Sequence, residues 1–269
     1  MTAVSSSAKS DLMDDESSMI LKVESVSKNF GGVKAVDNCS FEIPKSSISA
    51  LIGPNGAGKS TVVNLVSGAL RPDSGRVLFK GDDITKVPQH RIAHLGLIRT
   101  FQISREFGAM TVLENLMVSP REQSGERLFT AIFRPSVTKR EDNELVQKAL
   151  DTLDVFGLYD MRNEYASSLS GGQKRLLELA RAVMAEPEFL LLDEPMAGVT
   201  PVLIQRLGEH IQRMNQEHNI TFLMVEHNLE IVERICEFVV VMAVGTTLAT
   251  GEMKELRKND AVIDAYLGG

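Results

Sequence analysis

Apolar residues recur along this chain with two periods. ILKVESV from Ile20 alternates, and SFEI from Ser40 resumes the alternation, which predicts half-buried strands. Ile48 to Ile52, FLLLD at Phe189, ITFLMV at Ile220 and FVVVMAV at Phe238 are short continuous apolar runs, the pattern of strands covered on both faces. Between them the spacing turns helical. TVVNLVSGAL follows Ser60, and VLIQRLGEHIQRM from Val202 is apolar at positions 204, 207, 211 and 214. RPDSG at Arg71 marks a turn before the strand-like RVLFK. From 103 to 168 strand-like runs are few, and Val146, Ala149, Leu150 and Leu153 share one helical face. Alternating strand and helix signals predict an α/β protein whose mostly parallel sheet is covered by helices, with a helical insert. Residues 1–18 are Ser- and Asp-rich with little to bury, and order is expected to begin near Ile20.

Composition narrows the classes. With 269 residues, 43% of them hydrophobic, the chain can bury a sizeable core as one large domain or as a domain with a subdomain. A net charge of -7 without a basic stretch argues against a nucleic-acid partner, which would need clustered Lys and Arg. Cys39 and Cys236 read as buried thiols in a reducing compartment; their spacing suggests neither a metal site nor a disulfide framework. His90 and His94 lie one helical turn apart, but no third ligand is evident, so they read as surface residues. No run approaches the roughly 18 apolar residues of a membrane span, and no signal peptide opens the chain. The expectation is a cytosolic protein that reaches a membrane, if at all, through a partner.

The candidate chemistry starts at LIGPNGAGKST, residues 51 to 61. An apolar strand enters a turn carrying Gly53, Pro54, Asn55, Gly56, Ala57 and Gly58, and leaves through Lys59, Ser60 and Thr61 into a helix. The glycines let backbone N–H groups converge on phosphate oxygens, and the helix N-terminus adds partial positive charge. Lys59 is placed to reach the β and γ phosphates, and the Ser60 hydroxyl to ligate Mg²⁺. Downstream, FLLLDE ends an apolar strand in two carboxylates. Asp193 is the candidate to hold Mg²⁺, and Glu194 the candidate to orient and deprotonate the attacking water.

LSGGQ, Leu169 to Gln173, opens an amphipathic helix with apolar residues at 176, 179, 180, 183 and 184. Here the sequence resembles the ATP-binding cassette ATPases, and the resemblance runs over nearly the whole chain after the tail. It implies a P-loop NTPase (RecA-like) fold: α/β, with a mostly parallel sheet, an antiparallel β region and a helical signature subdomain. It also implies an ATPase domain over residues 19–269, with the helical subdomain inserted at about 103–185. Phe30 would then stack on adenine, Gln102 in RTFQ would ligate Mg²⁺ and act as a conformational lever, and His227 in VEHN would contact the γ-phosphate. Ser170, Gly171, Gly172 and Gln173 would form a second anion site at a helix N-terminus. The family's architecture implies that two cassettes meet head-to-tail, each signature capping ATP held by the other. One position departs: the loop after Glu194 usually carries Asp where this chain has Thr200, which puts a contact across that interface in doubt.

FGGVKAV at Phe30, GLIRTFQ at Gly96, the insert ERLFTAIFRPSVTKREDNE and the ending DAVIDAYLGG look like the ATPase subunits of branched-chain amino-acid importers, specifically the subunit with the longer insert. Urea and short-chain amide importers are similar, and a soluble ATPase of cofactor assembly is the alternative from another class. The resemblance implies ATP and Mg²⁺ as cofactors. Its implied partners are a second ATPase subunit, two transmembrane permease subunits and, indirectly, a solute-binding protein. The implied place is the cytoplasmic face of the inner membrane, peripherally bound.

Overall fold

In the computed structural model, residues 18–100, 106–119 and 135–267 are described. The described residues fall into two compact units, one of residues 18–92 with 221–267 and one of those between 93 and 220.

The first unit holds two sheets. β1 (Met19–Phe30), β2 (Val33–Pro44), β4 (Ser74–Phe79) and β5 (Asp82–Asp83) form an antiparallel sheet in the order β2-β1-β4-β5. Burial alternates along β2, so Val36, Cys39, Phe41 and Ile43 face inward, as the SFEI pattern predicts. β1 and β2 are one hairpin, pairing Leu21 with Ile43 at one end and Phe30 with Val33 at the other. The second sheet is built on β3 (Ile48–Ile52), which runs parallel to β8 (Thr221–Val225) and β9 (Phe238–Ala243) on either side. β10 (Thr246–Gly251) adds an antiparallel edge to β9. Every residue of β3 and of β8 is buried, the reason these strands read as unbroken apolar runs. This unit also carries α1 (Lys59–Val66), most of α2 (Gln89–Leu95), α7 (Leu229–Ile235), α8 (Met253–Leu256) and α9 (Asp260–Leu267).

The second unit contains the remaining described α-helices: α3 (Val112–Met117), α4 (Pro135–Val155), α5 (Gly171–Met184) and α6 (Pro201–His218). Ala149 and Leu153 of α4, Leu176, Leu179 and Ala180 of α5, and Leu207, Ile211 and Met214 of α6 are buried. The helical faces read from spacing are thus the faces that pack. Two parallel strands, β6 (Leu97–Arg99) and β7 (Phe189–Asp193), complete the unit. The apolar pattern does not single out β6. Three residues cannot display a period, and its place follows from pairing Leu97 with Phe189 and Arg99 with Leu191.

His90 and His94 are exposed on α2. No described helix is long and apolar enough to cross a membrane.

Candidate functional site

β3 delivers the chain to the phosphate loop, and the loop's glycines are required by geometry. Gly53 sits at φ 154°, where an added Cβ would lie 2.2 Å from the Met242 carbonyl oxygen of β9. Gly58 at φ 96° forms the N-cap of α1, and a Cβ there would come within 2.5 Å of the Ala35 carbonyl oxygen. Around Gly56, by contrast, a Cβ would meet nothing within 4 Å. The loop is therefore fixed from below by β2 and β9 and open at its crest.

Lys59 is buried, and its ammonium donates to the Gly53 carbonyl at 2.8 Å and the Pro54 carbonyl at 2.9 Å. The cation lies folded over the loop's own carbonyls. The first turn of α1 contains no acidic residue, so helix dipole, ammonium and open crest agree in sign. The arrangement fits a polyphosphate. Ser60 is exposed at the start of the helix, with a hydroxyl oxygen of the hard type Mg²⁺ prefers, and Thr61 follows it half-buried.

Two further groups belong to this unit. Phe30 ends β1 with 47% of its surface exposed, beside Gly31 at φ 58°. The Lys28 ammonium stands 5.8 Å from its ring centroid and is tied to Asp73 at 2.7 Å. Asp73 also accepts from the Asn29 backbone N–H, and the Lys28 and Asn29 contacts hold its carboxyl below the ordinary range. A flat aromatic exposed at the end of a pinned hairpin suits stacking of a base. His227 is exposed just beyond β8, its N–H donating to the buried Glu226 carboxylate at 3.1 Å. Asn228 then caps α7 by accepting from the Glu230 and Ile231 N–H groups, so the chain at His227 is held between a strand end and a helix cap.

In the second unit, β7 ends in the two carboxylates. Asp193 is buried and accepts from the Arg99 guanidinium at 2.9 Å. Glu194 takes φ 49°, a left-handed conformation that a non-glycine residue adopts at a cost. The strand geometry breaks there, so the two adjacent carboxylates are not held in a common strand register. Pro195 and Met196 are buried and anchor the turn, and Thr200, the N-cap of α6, makes no side-chain cap hydrogen bond.

The signature sequence starts α5 with a reciprocal capping box. Ser170 Oγ accepts from the Gln173 N–H at 3.4 Å, and the Gln173 side chain accepts from the Ser170 N–H at 2.9 Å. In this box the Ser170 hydroxyl oxygen is used as an acceptor. Gly171 is exposed, and the first turn of α5 has no acidic residue. Gly172 is tighter: a Cβ there would fall 2.0 Å from the Leu203 side chain.

Gln102 lies outside the described residues, as do Ile103 and the insert between 120 and 134. The described chain resumes on either side, at Thr100 and Glu106. On one side, the Thr100 N–H donates to the Leu191 carbonyl at 3.0 Å, extending the pairing with β7. On the other, Glu106 pairs with Lys174 of α5 at 2.7 Å, and the Arg181 guanidinium stacks 4.7 Å from the Phe107 ring. The fully buried Asn115 of α3 locks the next turn. Its Oδ1 accepts from the Phe107 N–H at 2.9 Å, while Nδ2 donates to the Phe107 and Thr111 carbonyls. Arg99, Asn115 and Lys174 were not predicted from the sequence. A polar residue on the apolar face of a helix, as Asn115 is, was the one available signal.

Residues 36–197, more than half the chain, match the family described as ABC transporter. The chain belongs to the ABC transporter family. This ABC ATPase is 42% identical over 249 residues to a protein from Archaeoglobus fulgidus named a probable branched-chain amino acid transport ATP-binding protein LivG, covering 93% of this chain and 95% of that one. It is 39% identical to the high-affinity branched-chain amino acid transport ATP-binding protein LivG of Escherichia coli K12, covering 93% and 98%. Among solved structures, a nucleotide-free ATP-binding cassette from an ABC transporter superposes with a TM-score of 0.79 at 36% identity, covering 93% of this chain and all of the other. The ADP conformation of such a cassette superposes at 0.78 with the same identity, covering 93% of this chain and 99% of that one. The P-loop NTPase fold, membership of the ATPase family and ATP as its nucleotide, all expected from the motifs, hold.

Proposed function

We propose that this ABC ATPase is the subunit that hydrolyses ATP to power import of branched-chain or chemically related amino acids. The observation carrying this reading is the 37–42% identity, spread over 93% of the chain, to proteins named for branched-chain amino acid transport in bacteria and archaea. A likeness over whole lengths draws in the subfamily stretches as well as the ATPase motifs that every cassette needs.

In this reading residues 19–269 act as one ATPase domain, with a helical subdomain at about 103–185. Phe30 stacks on adenine. The backbone of Gly53 to Gly58 and the first turn of α1 wrap the phosphates, and Lys59 exchanges its two loop carbonyls for phosphate oxygens. Ser60, Gln102 and Asp193 would hold Mg²⁺, which would neutralise negative charge on the nucleotide's phosphates. Glu194 takes a proton from the attacking water, and His227 donates to the γ-phosphate. Ser170, Gly171, Gly172 and Gln173 present hydroxyl and N–H groups to ATP bound by a second ATPase subunit. Two transmembrane permease subunits receive the conformational change at the cytoplasmic face of the inner membrane, and a solute-binding protein supplies the cargo.

Affinity extraction of the tagged chain from its native membranes in mild detergent tests the reading. Recovery with two polytopic proteins and a second ATPase, followed by ATP-dependent uptake of leucine in reconstituted vesicles, is the expected outcome. Recovery from the soluble fraction with cofactor-assembly proteins would overturn the transport role.

A further inference from the structure

Asp193, proposed as a ligand of a divalent cation, already faces a side-chain cation. Arg99 pairs with Leu191 in the parallel ladder, so its side chain lies on the face that Asp193 occupies two residues further along β7. That diagonal suits the long reach of arginine. The guanidinium donates to Asp193 Oδ2 at 2.9 Å, with only 12% of the Arg99 side chain and 6% of the Asp193 side chain exposed. A carboxylate this buried needs a compensating charge. Arg99 supplies it.

We propose that Arg99 is a positioning residue that neutralises Asp193 while no cation is bound and is displaced from it when a divalent cation binds. A guanidinium and a divalent cation compete for one carboxylate, since both are attracted to it and repel each other. Arg99 therefore lowers the cation affinity of the site, and in exchange holds the Asp193 carboxylate in a fixed orientation. The inference rests on the assignment of Asp193 as a cation ligand, so the experiment must separate the two.

Titration of Mn²⁺ into the ADP-saturated full chain, followed by the loss of the free-ion electron paramagnetic resonance signal, makes the separation. Arg99→Gln is expected to tighten Mn²⁺ binding about tenfold, because one charge-assisted hydrogen bond is no longer broken on binding. Arg99→Lys, which restores a charge without the planar fork, should fall between the two. Metal-free ADP affinity, measured by calorimetry, should not change in either variant; a fold-level defect would move it. In an Asp193→Asn background the Arg99→Gln effect should vanish. If Asp193→Asn weakens Mn²⁺ while Arg99→Gln leaves it unchanged or weaker, the competition is overturned and the ligand assignment stands. If Asp193→Asn does not alter Mn²⁺ affinity, the assignment and the inference fall together.

Discussion

Glu194 holds a backbone conformation that costs free energy. Its left-handed φ of 49° is a strained choice for a glutamate, and it follows directly on the last residue of β7. If it is the base, Glu194→Gln should lower ATP turnover by roughly 10² to 10⁴ while ATP still binds, read in parallel by phosphate release and nucleotide binding. Full turnover would remove it from that role. Asp73 allows a test with a definite sign. Its folded carboxyl is held below the ordinary range by Lys28 and Asn29, so the stability it contributes is complete above the unfolded value of about 3.9 and is lost as pH falls through the lower folded value. Asp73→Asn should therefore lower Tm at neutral pH, and melting curves of the two proteins should converge in acid below that window. Cys236 is the opposite case. Burial and the charges of Glu226 and Glu237 push its thiol up to about 12, so it stays protonated and should resist alkylation until the chain opens.

At the scale of elements, short helices here depend on their ends. The six-residue α3 begins with a complete capping box between Thr111 and Glu114. Thr111→Ala should cost about 1 kcal/mol, measured by urea denaturation. Asn115 holds the Phe107 to Thr111 turn from inside, with its side chain wholly buried. Asn115→Leu keeps the shape but leaves buried peptide groups without their partner, and should cost about 2–3 kcal/mol. Hydrogen exchange at the Phe107 amide would rise with it. This turn follows the segment of Gln102 in sequence, so such a variant tests whether ordering there matters for ATPase rate. The patterns that made α4, α5 and α6 legible were their apolar stripes. β6 was missed because a three-residue strand is defined by its neighbour and not by its own periodicity.

For the whole molecule, ATP binding should appear as stability. A ligand present at 100 times its Kd adds about 2.7 kcal/mol to a protein that binds it only when folded. ATP should raise Tm of the native chain, and Lys59→Ala should abolish most of that rise by removing the ammonium from the phosphate loop. An unchanged shift would contradict the loop's assignment. The Glu194→Gln protein offers the assembly test. With MgATP it should double in mass by light scattering if two signatures close on two nucleotides, and stay monomeric with ADP.

Sequence alone determined the features made of contiguous residues: the phosphate loop, the amphipathic helix that LSGGQ opens, the buried runs of β3, β7 and β8, and the carboxylate pair at 193 and 194. Their chemistry is local, because backbone N–H groups, caps and turn glycines act within a few positions of one another. Tertiary structure decided the pairings that span the chain. Arg99 meets Asp193 across 94 positions, and Lys28 meets Asp73 across 45. Nothing in a single sequence fixes which cation answers which carboxylate. That follows only once strand register has set which side chains share a face and burial has made an unanswered charge costly.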